Sequence, residues 1–322
     1  MSEIKIFVSN RIDTDSEAVE NPLLIPIRCG AAADTRTAQA VQGDDTGENI
    51  SRRRESFCEL TVQYWAWKNV HSDYYGLCHY RRYLSFSDKW RPMDAYHVVY
   101  EPMLLPSCKK KYGLLDEAAM RQIIEQYDAI VPVCADVREM PSPQGFQETV
   151  GNWWAAQDGV FLEKKVITTM LELIDKLAPA YSAAAREYLN GSAFRGNNCY
   201  VMRKELFQRL CEFEFPILFE LERIVDMRDY TENMRRTPGY VGEILFGIFT
   251  YQISTHENWR VNQRQLVFFR NAQRLRQRSL FPCAVKASAE KAARAVVDRV
   301  LPKGSGLRNC LKDALHRWKL LQ

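Results

Sequence analysis

The sequence lacks the short motifs that would assign it to several common classes of protein. It contains no Gly-x-Gly-x-x-Gly run and no Gly-x-x-x-x-Gly-Lys-Ser/Thr run, which argues against a Rossmann dinucleotide site and against a P-loop kinase or ATPase. Its nine cysteines are odd in number, and no pair has the Cys-x-x-Cys spacing of a zinc or redox site. No segment supplies the roughly 18 consecutive apolar residues that a membrane-spanning helix requires.

The excess of positive over negative charge is also small. A net charge of +4 on 322 residues argues against nucleic acid as a partner, because binding along phosphates needs a concentrated basic face. The amino terminus, MSEIKIFVSN, has neither the basic start nor the long apolar run of a signal peptide. Unpaired cysteines suit a reducing compartment, so we expect a cytoplasmic protein.

What the sequence does contain is the composition of a soluble globular chain, with 46% hydrophobic and 26% charged residues. We expect one catalytic α/β domain over residues 1–281 and a basic helical tail over 282–322. The tail carries nine Lys or Arg and three acidic residues, a net charge of +6, so the remaining residues total −2. In the tail, the apolar side chains from Leu307 to Leu321, Trp318 among them, recur on one helical face.

The stretch from 49 to 84 is the densest in aromatic and cationic side chains. Its spacing predicts a helix over 59–69 and a short core strand over 74–78, which delivers His79, Tyr80, Arg81 and Arg82 together. Ligands of open α/β sheets bind at the carboxyl ends of strands. Arginines bind phosphate through paired hydrogen bonds and tyrosines stack on rings, so this block is a candidate anion site; a solvated loop is the alternative.

Further patterns set expectations for the rest of the chain. Gly30 and Ala31 follow a predicted strand over 23–28, and such small residues allow a ligand or another backbone to come close. Asp44 and Asp45 are adjacent carboxylates of the kind that bind a hard divalent cation, although a solvated loop is the alternative. Residues 85–112 are predicted to be irregular and residues 152–177 to form a helix, in which Trp153 and Trp154 face either a sugar or the core.

Several longer phrases resemble one protein family. The runs GDDTGENIS, CELTVQYWAWKN, DYYGLCHYRRYL, CYVMRKELF, FPILFELE and GYVGEILFGIF are similar to bacterial capsular and exopolysaccharide glycosyltransferases of a family first described as a domain of unknown function. The similarity spans Ile4 to about Ile253. It implies a GT-A-like, Rossmann-type α/β fold that transfers sugar from a nucleotide-sugar donor, and some relatives are galactofuranosyltransferases.

The resemblance also implies roles for residues, with one departure from the usual pattern. Ordinary GT-A enzymes carry a metal-binding Asp-x-Asp after the central strand, where this chain has His79-Tyr80-Arg81. We therefore expect Arg81, Arg82 and His79 to neutralise the leaving diphosphate, and no cofactor is firmly predicted. If a manganese or magnesium ion binds, Asp44 and Asp45 are its expected ligands.

The same analogy identifies a candidate base. In many inverting GT-A enzymes a carboxylate at the start of a late helix deprotonates the acceptor hydroxyl, and Glu243, expected in the first turn of a helix over 241–253 after a turn at 237–240, matches that place. Asp158 and His79 are the other candidates. Asn198 is expected to hold the donor sugar. The remaining expected donor contacts are Tyr80, Gly30, Ala31 and Asn49.

Together these features predict an inverting glycosyltransferase that moves a sugar from a UDP-sugar, with UDP-galactofuranose as one candidate, to a lipid-linked glycan in capsule, exopolysaccharide or O-antigen synthesis. The alternatives are a metal-dependent retaining transferase and a noncatalytic glycan-binding protein. The tail is predicted to dock on the inner face of the cytoplasmic membrane; its alternative is a helix packed on the catalytic domain or on a second subunit.

Overall fold

The computed structural model describes residues 1–36, 41–274 and 280–301. Its strands are β1 (Ile4–Arg11), β2 (Leu24–Cys29), β3 (Tyr74–His79), β4 (Arg82–Leu84), β5 (Val98–Met103), β6 (Ala129–Pro132), β7 (Ala135–Asp136), β8 (Ala193–Phe194), β9 (Tyr200–Arg203), β10 (Val261–Arg264) and β11 (Leu266–Asn271). Its α-helices are α1 (Arg54–Phe57), α2 (Leu60–Asn69), α3 (Pro106–Lys111), α4 (Glu117–Ile124), α5 (Val150–Ala155), α6 (Lys165–Leu177), α7 (Ser182–Asn190), α8 (Lys204–Ile224), α9 (Thr237–Tyr251) and α10 (Leu280–Val300).

One mixed sheet organises the fold, and β3 lies at its centre. Strand β1 pairs in parallel with β3, and β2 pairs in parallel with β1. On the other side of β3, β9 is antiparallel, followed by β6 and then β10, which is parallel to β6. From the carboxyl end of β3 a tight hairpin leads into β4, which joins β11 and β5 to the sheet. The prediction of an α/β fold is confirmed.

The sheet buries both of its faces, as the nearly uninterrupted apolar strands require. Successive side chains of a strand point to opposite faces, so Phe7 joins one core while Ile6 and Val8 join the other. Strand β3 divides in the same way, with Leu77 on the first face and Cys78 on the second. Helices α2, α8 and α9 contribute to the first core, and α3 and α4 to the second.

The predicted helix over 59–69 and strand over 74–78 are confirmed as α2 and β3. The first seven residues of α2 are all buried, which explains why its sequence shows aromatic density and little polar periodicity. Because β1 and β3 run in parallel with Ser9 opposite His79, the predicted block of histidine, tyrosine and arginines does follow the end of a central strand.

Three local predictions were wrong. Residues 85–112 were predicted to be irregular because of their prolines, but they contain β5 and α3. Two of these prolines lie near the ends of the elements, where proline is tolerated. The helix expected over 152–177 is two helices, α5 and α6, because the chain turns back at Gly159, whose φ of +72° is left-handed. The turn expected at 237–240 is the first turn of α9, where Pro238 is tolerated because its missing N–H would be unpaired there. Glu243 consequently lies in the second turn.

The predicted tail begins inside a helix that packs on the sheet. Helix α10 lies against β5, with Ala287 buried and Lys291 Nζ 2.9 Å from Glu101 Oε1. The tail residues from 302 onward, including Trp318 and the apolar face around it, lie outside the described residues. Among the described helices, none has the length and apolarity to cross a membrane.

A buried carboxyl group lies between α2 and α8. The Glu214 side chain is fully buried, and its Oε2 accepts a hydrogen bond of 2.5 Å from Gln63 Nε2, while Oε1 has no partner. Burial raises the pKa of Glu214 from its ordinary value of 4.5 to about 8. The folded protein therefore retains a proton that the unfolded chain releases above pH 4.5 or so.

We expect the Glu214→Gln variant to lose much less stability than the unmodified protein as the pH rises. Because the folded-state pKa is the higher one, the contribution of Glu214 is fully present below the unfolded pKa and is lost towards pH 8. A shift of this size costs about 3 kcal/mol at pH 7. The measurement is the melting temperature of both proteins between pH 5 and pH 9.

Glu212→Gln is the matched control, since Glu212 lies two residues earlier on the same helix and is exposed. Its melting curve should follow that of the unmodified protein at every pH. Parallel pH profiles for the Glu214 and Glu212 variants would show that Glu214 is ionised in the folded protein.

Candidate active site

The parallel strands β1, β2 and β3 end at one edge of the sheet and open a cleft there of about 520 Å³. Ser9, Cys29 and His79, which end or nearly end these strands, line it. We call it the arginine cleft, because five guanidinium groups line it together with four carboxylates: Arg11, Arg54, Arg81, Arg235, Arg236, Asp13, Glu55, Glu59 and Glu232.

Arg81 is one of three cleft arginines, with Arg235 and Arg236, that form no ion pair within the described residues. Its guanidinium lies 5.2 Å from the centre of the Tyr80 ring and 5.4 Å from that of Phe268, and its buried Nε has no hydrogen-bond partner. Within the described residues it forms no ion pair, whereas Arg11 is bound to the carboxylate of Asp13. Arg81 is therefore a half-buried cation whose charge is available to a ligand.

His79 lies among these cations and is neutral. Burial lowers its pKa well below the usual value, and the surrounding charges of Arg82, Arg81, Arg236 and Arg11 lower it further. The backbone N–H of Arg81 donates to His79 Nδ1 at 3.3 Å, which leaves the proton of the neutral ring on Nε2. His79 can thus offer one N–H to an anion, but it does not add a positive charge.

The loop after β2 is organised by Asp44. This fully buried carboxylate accepts the backbone N–H groups of Gly30 and Ala31 at 2.9 to 3.1 Å and the hydroxyls of Ser51 and Thr61 at 2.5 and 2.6 Å. The backbone N–H groups of Gly30 and Ala31, two of the expected contacts with the nucleotide sugar, are therefore already bound to Asp44. Gly30 has a φ of +77° and lies directly under the side chain of Arg54, so a larger residue would not fit.

Two other candidates from this region also lie away from the cleft. Asp45 is exposed, and Asn49 bonds to its own loop through Ser51 N and Gly47 O. Asp44 and Asp45, the expected metal ligands, therefore lie in different environments. Asp44 is a buried hydrogen-bond acceptor, and Asp45 is a surface residue. Among the described residues, no group of three or more His, Cys, Asp or Glu side chains is arranged to hold a metal ion.

A second, larger cleft of about 1180 Å³ adjoins the first. We call it the aromatic cleft, because seven aromatic residues line it: Tyr96, Tyr100, Trp153, Trp154, Phe161, Phe194 and Tyr240. Arg82, Asn197 and Glu243 line it as well. Arg81 and Arg82, which were predicted to act together, are therefore directed into different clefts by the hairpin between β3 and β4.

Glu243 is the carboxylate of the aromatic cleft whose pKa is raised. Burial raises its pKa above the ordinary value, and the nearby charge of Glu59 raises it further. Arg82, Arg236 and the backbone N–H of Asn197 act in the opposite direction. Asn197 has a left-handed φ of +61°, a conformation that asparagine tolerates better than most residues. The result is a carboxylate that accepts a proton more readily than a solvated one.

Glu59 is a site residue that the sequence patterns did not single out. It lines the arginine cleft beside His79 and accepts a hydrogen bond of 3.3 Å from Asn198 Nδ2. Asn198, expected to hold the donor sugar, is only 4% exposed and lines neither cleft, whereas its half-buried neighbour Asn197 lines the aromatic cleft. The signal for Glu59 was its place in the CELT run, immediately before α2.

The remaining candidates are resolved by burial. Asp158 is exposed and lines neither cleft. Its carboxylate accepts a hydrogen bond of 2.8 Å from the backbone N–H of Lys164, within the segment that connects α5 to α6. Trp153 and Trp154 are 6% and 2% exposed, and they form one wall of the aromatic cleft while packing into the core. The core reading of this pair is confirmed, and contact with a sugar stays a prediction.

Comparisons with known proteins identify the family and the fold of the chain. A family model described as a domain of unknown function, DUF4422, matches residues 5–255. A solved structure described as the apo form of the bifunctional glycosyltransferase WbbM is similar to this chain with 30% sequence identity and a TM-score of 0.75. That similarity covers 84% of this chain and 46% of the other, so the chain spans about half the length of WbbM. No curated protein matches the sequence.

The family model covers well over half of the chain, and the solved structure shares its arrangement of sheet and helices. The resemblance noted in the sequence is thereby confirmed at the level of family and fold. The protein belongs to the DUF4422 family and has a GT-A-like α/β fold.

Proposed function

We propose that the protein is a glycosyltransferase that binds a nucleotide-sugar donor in the arginine cleft and a glycan acceptor in the aromatic cleft. The observation that carries the proposal is the adjacency of two features: Arg81, a cation with no carboxylate partner among the described residues, and Glu243, a carboxylate with a raised pKa in the neighbouring cleft. Similarity to a bifunctional glycosyltransferase over 84% of the chain supports the prediction of a transferase.

The arginine cleft suits the diphosphate of a UDP-sugar. Guanidinium groups form short, charge-assisted hydrogen bonds with phosphate oxygens, and Arg81 and Arg236 are close enough to His79 to act on its pKa. When the bond between the sugar and the diphosphate breaks, negative charge develops on the leaving oxygen, and preorganised cations lower the energy of that transition state. This assigns to side chains the role that a metal ion plays in many related folds.

Glu243 suits the proton transfer. The acceptor hydroxyl gives its proton to the Glu243 carboxylate as its oxygen bonds to the anomeric carbon, and the bond to the diphosphate breaks on the opposite face, so the configuration is inverted and UDP leaves. A general base works best when its pKa is near the operating pH, and burial moves the pKa of Glu243 in that direction.

The aromatic cleft suits a glycan, since apolar rings pack on the C–H faces of sugars while polar groups bind the hydroxyls. We propose a lipid-linked glycan of capsule, exopolysaccharide or O-antigen synthesis as the acceptor, with the basic tail holding the enzyme at the inner face of the cytoplasmic membrane. The charges of Glu290, Lys291 and Arg294 are already engaged on the catalytic domain. The membrane contact is therefore proposed for the tail residues beyond 301.

We expect the unmodified protein to bind UDP with EDTA present, and the Arg81→Ala variant to bind it at least tenfold more weakly, because a hydrogen bond to a charged group contributes about 1.5 to 3 kcal/mol. Isothermal titration calorimetry measures both dissociation constants. Galactose titrated alone tests the alternative of a glycan-binding protein, which would bind the sugar and not the nucleotide.

Arg223→Ala is the matched control, because Arg223 forms an exposed ion pair with Glu220 on α8. Its affinity for UDP should equal that of the unmodified protein. UDP binding that disappears in EDTA and returns with manganese would replace the arginine assignment by a metal-dependent one.

We expect Glu243→Gln to retain UDP affinity and to lose sugar transfer by a factor of at least about 100, since the amide keeps the shape of the side chain but accepts no proton. In the unmodified protein the rate should rise with pH through a pKa above that of an ordinary glutamate. Product formation from UDP-galactose or UDP-galactofuranose and an octyl glycoside is the measurement.

Two further variants make this test specific. Asp158→Asn should transfer sugar at the unmodified rate, because Asp158 lies outside both clefts. Glu59→Gln separates the two neighbouring carboxylates: full loss in that variant, with activity retained in Glu243→Gln, would make Glu59 the base.

We expect the full chain to sediment with vesicles that contain anionic phospholipid, and the triple variant Arg308→Glu, Lys312→Glu, Lys319→Glu to remain in the supernatant. Each basic residue near an anionic surface contributes about 1 kcal/mol, so reversing three charges removes most of the attraction. About 0.5 M salt should have the same effect, since it screens exposed charges. Equal sedimentation of both proteins would refute the membrane proposal.

A further inference from the structure

Helix α10 forms part of the aromatic cleft although it lies outside the region that the family model matches. The match ends at residue 255, and α10 begins at Leu280. Glu290, Ala293, Arg294 and Val297, which follow one another on one side of this helix, line the cleft together with Glu243. The wall that α10 contributes therefore comes from a part of the chain that the family model does not describe.

This wall is held in place by specific contacts with β5 and β11. The Tyr100 hydroxyl donates to Glu290 Oε1 at 2.8 Å, and Arg270 Nη1 donates to the same oxygen at 2.6 Å. At the next residue of α10, Lys291 Nζ lies 2.9 Å from Glu101 Oε1, and that carboxylate is 5% exposed. Contacts of this kind position the cleft-facing side of α10 relative to the sheet.

A row of side chains runs across the sheet from the reaction centre to α10. Arg82, Phe268 and Tyr100 are direct partners on the neighbouring strands β4, β11 and β5. The Arg82 guanidinium is 5.8 Å from the Phe268 ring centre, which is 6.4 Å from that of Tyr100. Two strand spacings separate Arg82 from Tyr100, a distance of about 10 Å.

Arg294 ends this row. Its guanidinium carbon lies 3.5 Å from the centre of the Tyr100 ring, so the cation stacks on the aromatic face. Stacking leaves the edges of the guanidinium accessible: its Nε lies 3.8 Å from Asp298 Oδ2 on the next turn of α10, and its Nη groups can donate to a ligand. Ala293 and Val297 beside it provide apolar surface. Hydrogen-bond donors next to an apolar patch are the combination that binds a sugar ring.

We infer that α10 provides a second acceptor subsite, which binds the sugar unit adjacent to the one that is glycosylated beside Glu243. The inference rests on the proposed function. The volume of the aromatic cleft supports this inference. At about 1180 Å³ the cleft exceeds the range of about 300 to 1000 Å³ that is typical of sites for single small molecules. The chain would accordingly prefer acceptors of two or more sugars over monosaccharides.

The test compares octyl galactoside with octyl digalactoside as acceptors, using UDP-galactose and UDP-galactofuranose as donors. In the unmodified full chain the KM for the digalactoside should be about tenfold lower. Ala293 is an exposed residue of the cleft wall, and the Ala293→Trp variant fills the subsite. This variant should raise the KM for the digalactoside about tenfold and leave that for the monosaccharide within about twofold.

Ala292→Trp is the matched control, because Ala292 is the preceding residue of α10, is also exposed, and does not line the cleft. It should behave as the unmodified protein with both acceptors, and equal melting temperatures of the two variants confirm that both are folded. The inference is overturned if Ala293→Trp leaves the digalactoside KM unchanged, or if the unmodified protein has the same KM for both acceptors. Absence of UDP release from either donor counts against the proposed function instead.

Discussion

The parallel pairing of β1, β2 and β3 is the constraint on which the rest of the structure depends. Its register places Arg11 opposite Cys29 and Ser9 opposite His79, so three strands end together at one edge. Parallel strands need crossover connections, and here the crossover from β2 to β3 carries α1 and α2, which bring Arg54 and Glu59 to the same edge. A shift of this register by one residue would exchange the two faces of each strand and bury the wrong side chains.

Asp44 stabilises this edge from below. Its carboxylate binds the loop after β2 to the segment before α1 and to the first turns of α2, through Gly30, Ser51 and Thr61. A buried charge is costly unless it is fully hydrogen-bonded, and the four donors around Asp44 satisfy it. Asp44 of the polar GDDTGEN segment therefore supports the architecture of the site, and no residue of this segment lines either cleft.

The electrostatic arrangement depends on how the β3–β4 hairpin separates two adjacent arginines. Arg81 remains in the arginine cleft, while Arg82 enters the aromatic cleft, where it opposes the rise that burial causes in the pKa of Glu243. His79 stays neutral between them because it is buried among cations. In the proposed mechanism, the charges that act on the leaving group and the carboxylate that accepts the proton therefore lie in different clefts.

The sequence by itself determined the family, the fold class, α2, β3 and the block at the end of β3, because these depend on local periodicity and on runs of fixed residues. Only the tertiary structure decided the roles of Asp44, Asn198 and Glu59, since burial and hydrogen-bond partners distant in the sequence distinguish a structural carboxylate from a reactive one. The same holds for α10. Its helical pattern is visible in the sequence, but its place in the wall of the aromatic cleft depends on pairing between β5 and β11, which local sequence does not encode.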